Sequence, residues 1–217
     1  MPGYFPVTLN LNGHRCLVVG GGKVALRKVC ALLQAGAEVV GVAPKFEADF
    51  ASPEAQAATL REKAYSQDDL HGVFFVVAAT DDSAVNEKIS RDARESGILV
   101  NVVDEPAISD VIIPSTLRRG DFTISVSTGG ASPLLAGQVR RGLEGSFPES
   151  YGGWVDLLAE IRADIRRREI AEEKKRELLQ AILEKRGLDV FCAEGCDAAR
   201  TFLQKLIADT VVPKSKS

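Results

Sequence analysis

Gly20-Gly21-Gly22 followed by Ala25 has the residue types and spacing of a turn that receives a pyrophosphate. In the pattern G-x-G-x-x-A the first glycine, Gly20, allows a tight turn and the second, Gly22, lets the backbone approach the phosphates. The small third residue lets the following helix pack against its strand. The unpaired N–H groups and the dipole of that helix favour an anion. A second chemical group stands at Asp104, directly after an apolar run, where a carboxylate could act as acid or base from a rigid element. Position alone leaves it open between that role and a helix cap or solvated turn.

Further groups suit anion recognition. Ser127, Thr128, Gly129 and Gly130 put hydroxyls and amides at a strand-to-helix junction, able to meet a carboxylate or phosphate or to form a plain turn. Arg118, Arg119, Arg140 and Arg141 are candidates for bidentate carboxylate binding. Asp81 and Asp82 precede a helix and read as capping residues, and Arg166-Arg167-Arg168 lies among glutamates as a solvated face. His14 and His71 fall in turns, and Cys192 and Cys196 form one C-x3-C without a second ligand pair. No metal site is expected, and all four cysteines read as reduced structural residues.

The elements that must position these groups follow from the hydrophobic pattern. A strand over 16–19, a helix over 24–34 closed by Gly36 and a strand over 38–42 make a βαβ unit, whose right-handed crossover leaves the glycine turn at the carboxyl edge of a parallel sheet. Strands follow at 59–62, 73–79 and 98–103, with a helix over 83–96 capped by Ser83 and ended by Gly97. Thr80-Asp81-Asp82 and Asp104-Glu105 are therefore expected at the edge that carries the glycine turn. The second strand runs into Val42-Ala43-Pro44-Lys45, without the acid that often holds the adenosine ribose. The ribose then falls to backbone groups near Pro44 and Lys45 or to another strand end, leaving NAD and NADP undivided.

From Ile112 the repeat stops. A basic turn over 118–121, an alternating strand over 122–127 and a helix capped by Ser132 with Pro133 at its first position come next. Beyond Pro148 the chain reads as entirely helical, with one apolar stripe through Trp154, Leu157, Leu158, Ile161 and Ile165 and another through Leu178, Leu179, Ile182 and Leu183. A last helix near 198–208 and a frayed tail over 211–217 complete it. The expected organisation is α/β: a Rossmann-type nucleotide-binding domain over 1–113, a small α+β dimerisation segment over 114–148 and a helical module over 149–217.

With 27 basic and 30 acidic residues among 217, the net charge of −3 favours neither nucleic acid nor a membrane surface. The first residues lack the basic start and apolar run of a secretory signal and no stretch approaches a membrane span, so a cytoplasmic location is expected.

Taken in order, these motifs resemble one family, the precorrin-2 dehydrogenases of sirohaem synthesis, including the N-terminal module of sirohaem synthase. The matching stretches are Tyr4-Phe5-Pro6-Val7 with Leu9-Asn10-Leu11, Val18-Val19-Gly20-Gly21-Gly22 with Val24-Ala25 and Arg27-Lys28, and Val42-Ala43-Pro44. Next are Ala78-Ala79-Thr80-Asp81-Asp82 with Val85-Asn86, Asn101-Val102-Val103-Asp104, Ile113-Pro114-Ser115 and Ser125-Val126-Ser127-Thr128-Gly129-Gly130-Ala131-Ser132-Pro133. The resemblance runs to about residue 185. It implies oxidation of precorrin-2 to sirohydrochlorin with NAD, and carries the family's catalytic aspartate onto Asp104. Its nucleotide contacts fall on Gly20, Gly22, Lys23, Val24, Pro44, Lys45, Thr80 and Asn101, and the substrate is expected at Ser127, Thr128, Gly129, Arg118 and Arg119. It also implies a homodimer that exchanges the segment after Pro114. In some relatives ferrous iron is a further substrate, inserted into sirohydrochlorin with the same aspartate. A reading from another class, the NAD-binding regulatory module of a potassium-transport system, shares the glycine fingerprint but has no need of the chain after residue 113.

Overall fold

The computed structural model describes residues 3–184 and 186–211; of the tail expected over 211–217, Val211 instead ends the last helix and 212–217 lie outside the described residues. The chain divides into two compact units, one of residues up to Ile113 with Gly129–Ala131, the other of Pro114–Thr128 with the chain from Ser132 onward.

The first unit is a five-stranded parallel sheet in the order β3-β2-β1-β4-β5, formed by β1 (Arg15–Val19), β2 (Glu38–Ala43), β3 (Thr59–Glu62), β4 (Phe75–Ala78) and β5 (Leu99–Val102). Alternation along β1 supplies both cores: Cys16 and Val18 join Val29, Leu32, Val39 and Val77 on one face, while Leu17 and Val19 join Val40, Val42, Val76, Ile89 and Val100 on the other. Strands covered on both faces need such unbroken apolar runs. Each aliphatic side chain buried in this way stabilises the fold by about 1.5–3 kcal/mol.

Helix α1 (Lys23–Gln34) buries Ala25, Val29 and Leu32, one stripe at helical spacing, and Gly36 takes φ +79° just beyond its end. At the start of helix α2 (Ser83–Glu95) Asp82 caps as its place before the helix suggests, its Oδ1 accepting from the N–H groups of Ala84 and Val85, whereas Ser83, also expected as the cap, is the first helical residue. A carboxylate there also meets the positive end of the helix dipole, which a neutral serine cannot do. The fourth strand begins later than the apolar run suggests, because Phe74 is partly exposed and stacks on the His14 ring with centroids 4.4 Å apart.

The second unit contains the antiparallel hairpin β6 (Ser115–Arg119) and β7 (Phe122–Val126), then α3 (Pro133–Leu143), α4 (Ser150–Arg167), α5 (Glu172–Glu184), α6 (Gly187–Glu194) and α7 (Cys196–Val211). Because Arg119 pairs with Phe122, the turn is only Gly120-Asp121, and Arg118 and Arg119 are strand residues instead of turn residues. Ser132 caps α3 by accepting from the Leu135 N–H, with Pro133 following. Trp154, Leu157, Ile161 and Ile165 of α4 bury against Leu178, Ile182, Ala199, Leu203 and Ile207. Cys16 is buried, and burial pushes its thiol up to about 11. Cys192 and Cys196 are free and exposed, so they are not the structural thiols expected of them.

Candidate functional site

All five strands of the first unit are parallel, so their carboxyl ends share one edge. The sheet order reverses at β1, with β2 on one side and β4 on the other, and a crevice at such a switch is where open α/β sheets take ligands. The glycine turn follows β1 there. Gly20 has φ +135°, and a β-carbon on it would run into the Ala79 carbonyl oxygen; one on Gly21 would run into that of Lys45. The Gly20 N–H donates to the Val42 carbonyl at 2.9 Å, tying the turn to β2.

The first turn of α1 contains no acid, and its cap, Gly22, has no side chain to occupy the leading N–H groups. α2 and α3 spend theirs on Asp82 and Ser132. An open helix start beside a close-packed glycine turn suits a diphosphate. Lys23 is exposed, Val24 half-buried, and Pro44 and Lys45 are exposed just past β2.

Asp104 lies two residues past β5, exposed, with φ +61°; among the described residues it is the one non-glycine residue in the left-handed region. The chain around it is fastened from below. The buried Ser109 hydroxyl accepts from the Val102 N–H at 2.9 Å and faces the carbonyls of Glu105 at 2.9 Å and Val102 at 3.1 Å as donor. Buried Asn101 donates from Nδ2 to the Val111 carbonyl at 2.9 Å. Ser109→Ala leaves the Val102 N–H without its acceptor, so a loss of about 1–3 kcal/mol is expected. Thermal unfolding should show a lower Tm; an unchanged Tm would remove the hydroxyl's part in holding this loop.

Lys28, in the second turn of α1, was not singled out for a role by sequence reasoning. Burial lowers its ammonium below the ordinary value and Arg27 lowers it further, while the Asp104 carboxylate acts on it in the opposite sense. Its signal lay in the helical spacing, since residue 28 falls on the turn after the glycines. Asn86 was also passed over. Its Oδ1 accepts from the Thr80 hydroxyl at 2.8 Å and from the Thr80 N–H at 3.3 Å, and its Nδ2 donates to the Thr80 carbonyl at 3.0 Å. Thr80 is thereby fixed at the end of β4.

In the second unit, Thr128 Oγ1 accepts from the Ser132 N–H at 2.9 Å, so that hydroxyl closes the loop before α3, and Ser127 is exposed. Gly129, grouped by its contacts with the first unit, has φ +63°. Arg118 is exposed. Arg119 pairs with Glu149 at 2.8 Å and donates from Nε to the Phe147 carbonyl at 3.0 Å, a tie between the hairpin and the start of α4. Among the described residues no group of three or more His, Cys, Asp or Glu side chains could hold a metal ion, and no helix is long and apolar enough to cross a membrane.

Comparison with known proteins agrees with this geometry. Residues 7–115 match an NAD(P)-binding family model, and residues 119–146 match the central region of sirohaem biosynthesis proteins. A sirohaem synthase of Nitrosococcus oceani is 42% identical over 166 residues, covering 76% of this chain and 36% of that protein. A sirohaem synthase of Nitrosomonas eutropha is 37% identical over 210 residues, covering 96% of this chain and 44% of that protein. The chain thus spans less than half the length of these relatives. A solved structure titled SirC, precorrin-2 dehydrogenase, superposes with a TM-score of 0.78 at 34% identity, covering 94% of this chain and 98% of that one. The shared fold, the NAD(P)-binding half and the sirohaem-specific segment after it make the chain a member of the precorrin-2 dehydrogenase family of sirohaem biosynthesis.

Proposed function

We propose that this chain oxidises precorrin-2 to sirohydrochlorin with NAD+ as the electron acceptor. The observation that carries the reading is the meeting of an uncapped glycine-turn helix and Asp104 on one edge of the parallel sheet. The reaction removes a hydride and a proton from the reduced macrocycle, so it needs an acceptor for each. Bound NAD+ supplies the hydride acceptor. Gly20, Gly22, Lys23 and Val24 hold its pyrophosphate, and Pro44, Lys45, Thr80 and Asn101 border the rest. Asp104 takes the proton, and the Lys28 ammonium favours the ionised carboxylate from which that step starts. Substrate carboxylates are assigned to Ser127, Thr128, Gly129 and Arg118, with Arg119 keeping the neighbouring backbone in place.

A homodimer that exchanges residues 114–148 belongs to the same reading. Its support is on α3, where Leu134, Leu135 and Val139 are exposed to water, Leu135 and Val139 one turn apart on the same face. The match of residues 119–146 supports an enzyme over a potassium-transport sensor.

The test is anaerobic incubation of the protein with freshly made precorrin-2 and NAD+, followed by absorbance. Sirohydrochlorin should form only when nucleotide is present. Absence of turnover with both NAD+ and NADP+ rejects the assignment.

A further inference from the structure

β2 ends at Ala43 without an acid, but the chain that follows turns back over the glycine loop and brings one there. The Glu47 N–H donates to the Gly21 carbonyl at 2.9 Å, and the Lys45 carbonyl lies against Gly21. This return sets Glu47 Oε1 3.7 Å from where a β-carbon on Gly22 would stand, at the start of α1. The side chain is exposed and, among the described residues, has no hydrogen-bond or ion-pair partner. The cap position beside it, Gly22, has no side-chain hydrogen bond to the start of α1.

A carboxylate beside a diphosphate site repels a further phosphate and accepts hydrogen bonds from a sugar diol. In sheets of this kind the adenosine-side ribose lies between the glycine turn and the end of the second strand, where an acid commonly meets its hydroxyls. Glu47 reaches that region from four residues beyond β2 because its backbone is anchored to Gly21. Lys45, on the same segment, is the competing group, since a cation there would attract a 2′-phosphate. The contact that Lys45 makes with the turn is through its main chain, whereas Glu47 brings its charged atoms to Gly22.

We propose that Glu47 accepts hydrogen bonds from the adenosine ribose of the nucleotide and thereby selects NAD+ over NADP+. The inference rests on the nucleotide site of the proposed dehydrogenase. It is tested by isothermal titration of the full chain with NAD+ and with NADP+, comparing wild type, Glu47→Gln and Glu47→Lys. Wild type should prefer NAD+. Glu47→Gln should weaken NAD+ by about tenfold and narrow the preference, as loss of a charge-assisted hydrogen bond does. Glu47→Lys should turn the preference towards NADP+, and both variants should melt with wild type because the side chain is exposed. An unchanged NAD+-to-NADP+ ratio in both variants overturns the role of Glu47 while leaving the dehydrogenase assignment intact. A wild type that favours NADP+ overturns it equally. Binding of neither nucleotide overturns the dehydrogenase assignment and this inference together.

Discussion

Asp104→Asn is expected to fold, to bind NAD+ with the affinity of wild type and to turn over precorrin-2 about 10²–10⁴-fold more slowly, the range that loss of a positioned proton acceptor produces. Asparagine suits this test because of the backbone. Asp104 has φ +61°, a conformation that Asn and Asp adopt more readily than other non-glycine residues. Alanine at the same place adds strain of about 1–2 kcal/mol, and so confounds chemistry with folding. Asp104→Gly makes the complementary case: it removes the carboxylate but relaxes the backbone, so its Tm should not fall while its turnover does. Ser109 and Asn101 keep holding the loop in both variants. Single-turnover absorbance with saturating NAD+ measures the chemical step. Wild-type rates in Asp104→Asn would sink the proton-acceptor role and leave the nucleotide site standing.

The parallel sheet was legible because each central strand is covered on both faces and so had to be written as an apolar run, Val76-Val77-Ala78 being the plainest. Turn glycines and caps marked the helix ends for the same local reasons, and Ser132-Pro133 opened α3 as expected. Legibility failed where a residue's partner is distant in sequence or where neighbouring cap formers compete. Asp82 and Ser83 can both cap, and the choice rests on which of them keeps an extended backbone after β4; it is Asp82, with φ −99° and ψ 106°. Ser109 gives no local pattern, because its partner Val102 is seven residues back and becomes a partner only when the chain after β5 folds over. Arg119 read as a free cation for a substrate; its pairing with Glu149 spans the whole of α3 and cannot be seen in a turn motif. Asp104 was found by position, yet its left-handed backbone was not, since aspartate in a turn is common in either conformation.

The glycine turn holds the sharpest of these differences, and substitutions at two adjacent residues should separate folding from binding. In G-x-G-x-x-A the middle position is free, so Gly21 carried no assignment, while Gly22 was the residue needed for close approach. The packing reverses their structural importance. A β-carbon on Gly21 would collide with the Lys45 carbonyl oxygen and lie 3.1 Å from the Ala43 side chain, a main-chain obstruction that no rotamer change relieves. Gly22 has φ −95°, which any residue adopts, and its nearest neighbour is the flexible Glu47 side chain at 3.7 Å. Gly21→Ala should therefore displace the segment after β2, costing about 1–3 kcal/mol or more, as overpacking against fixed atoms does. Gly22→Ala should melt with wild type and still lose nucleotide affinity, because its methyl group occupies the space the diphosphate needs. Paired melting curves and NAD+ titrations check both. The decisive outcome is Gly22→Ala: wild-type affinity there would mean that the diphosphate does not approach α1 through this turn, whatever Gly21→Ala does to the fold.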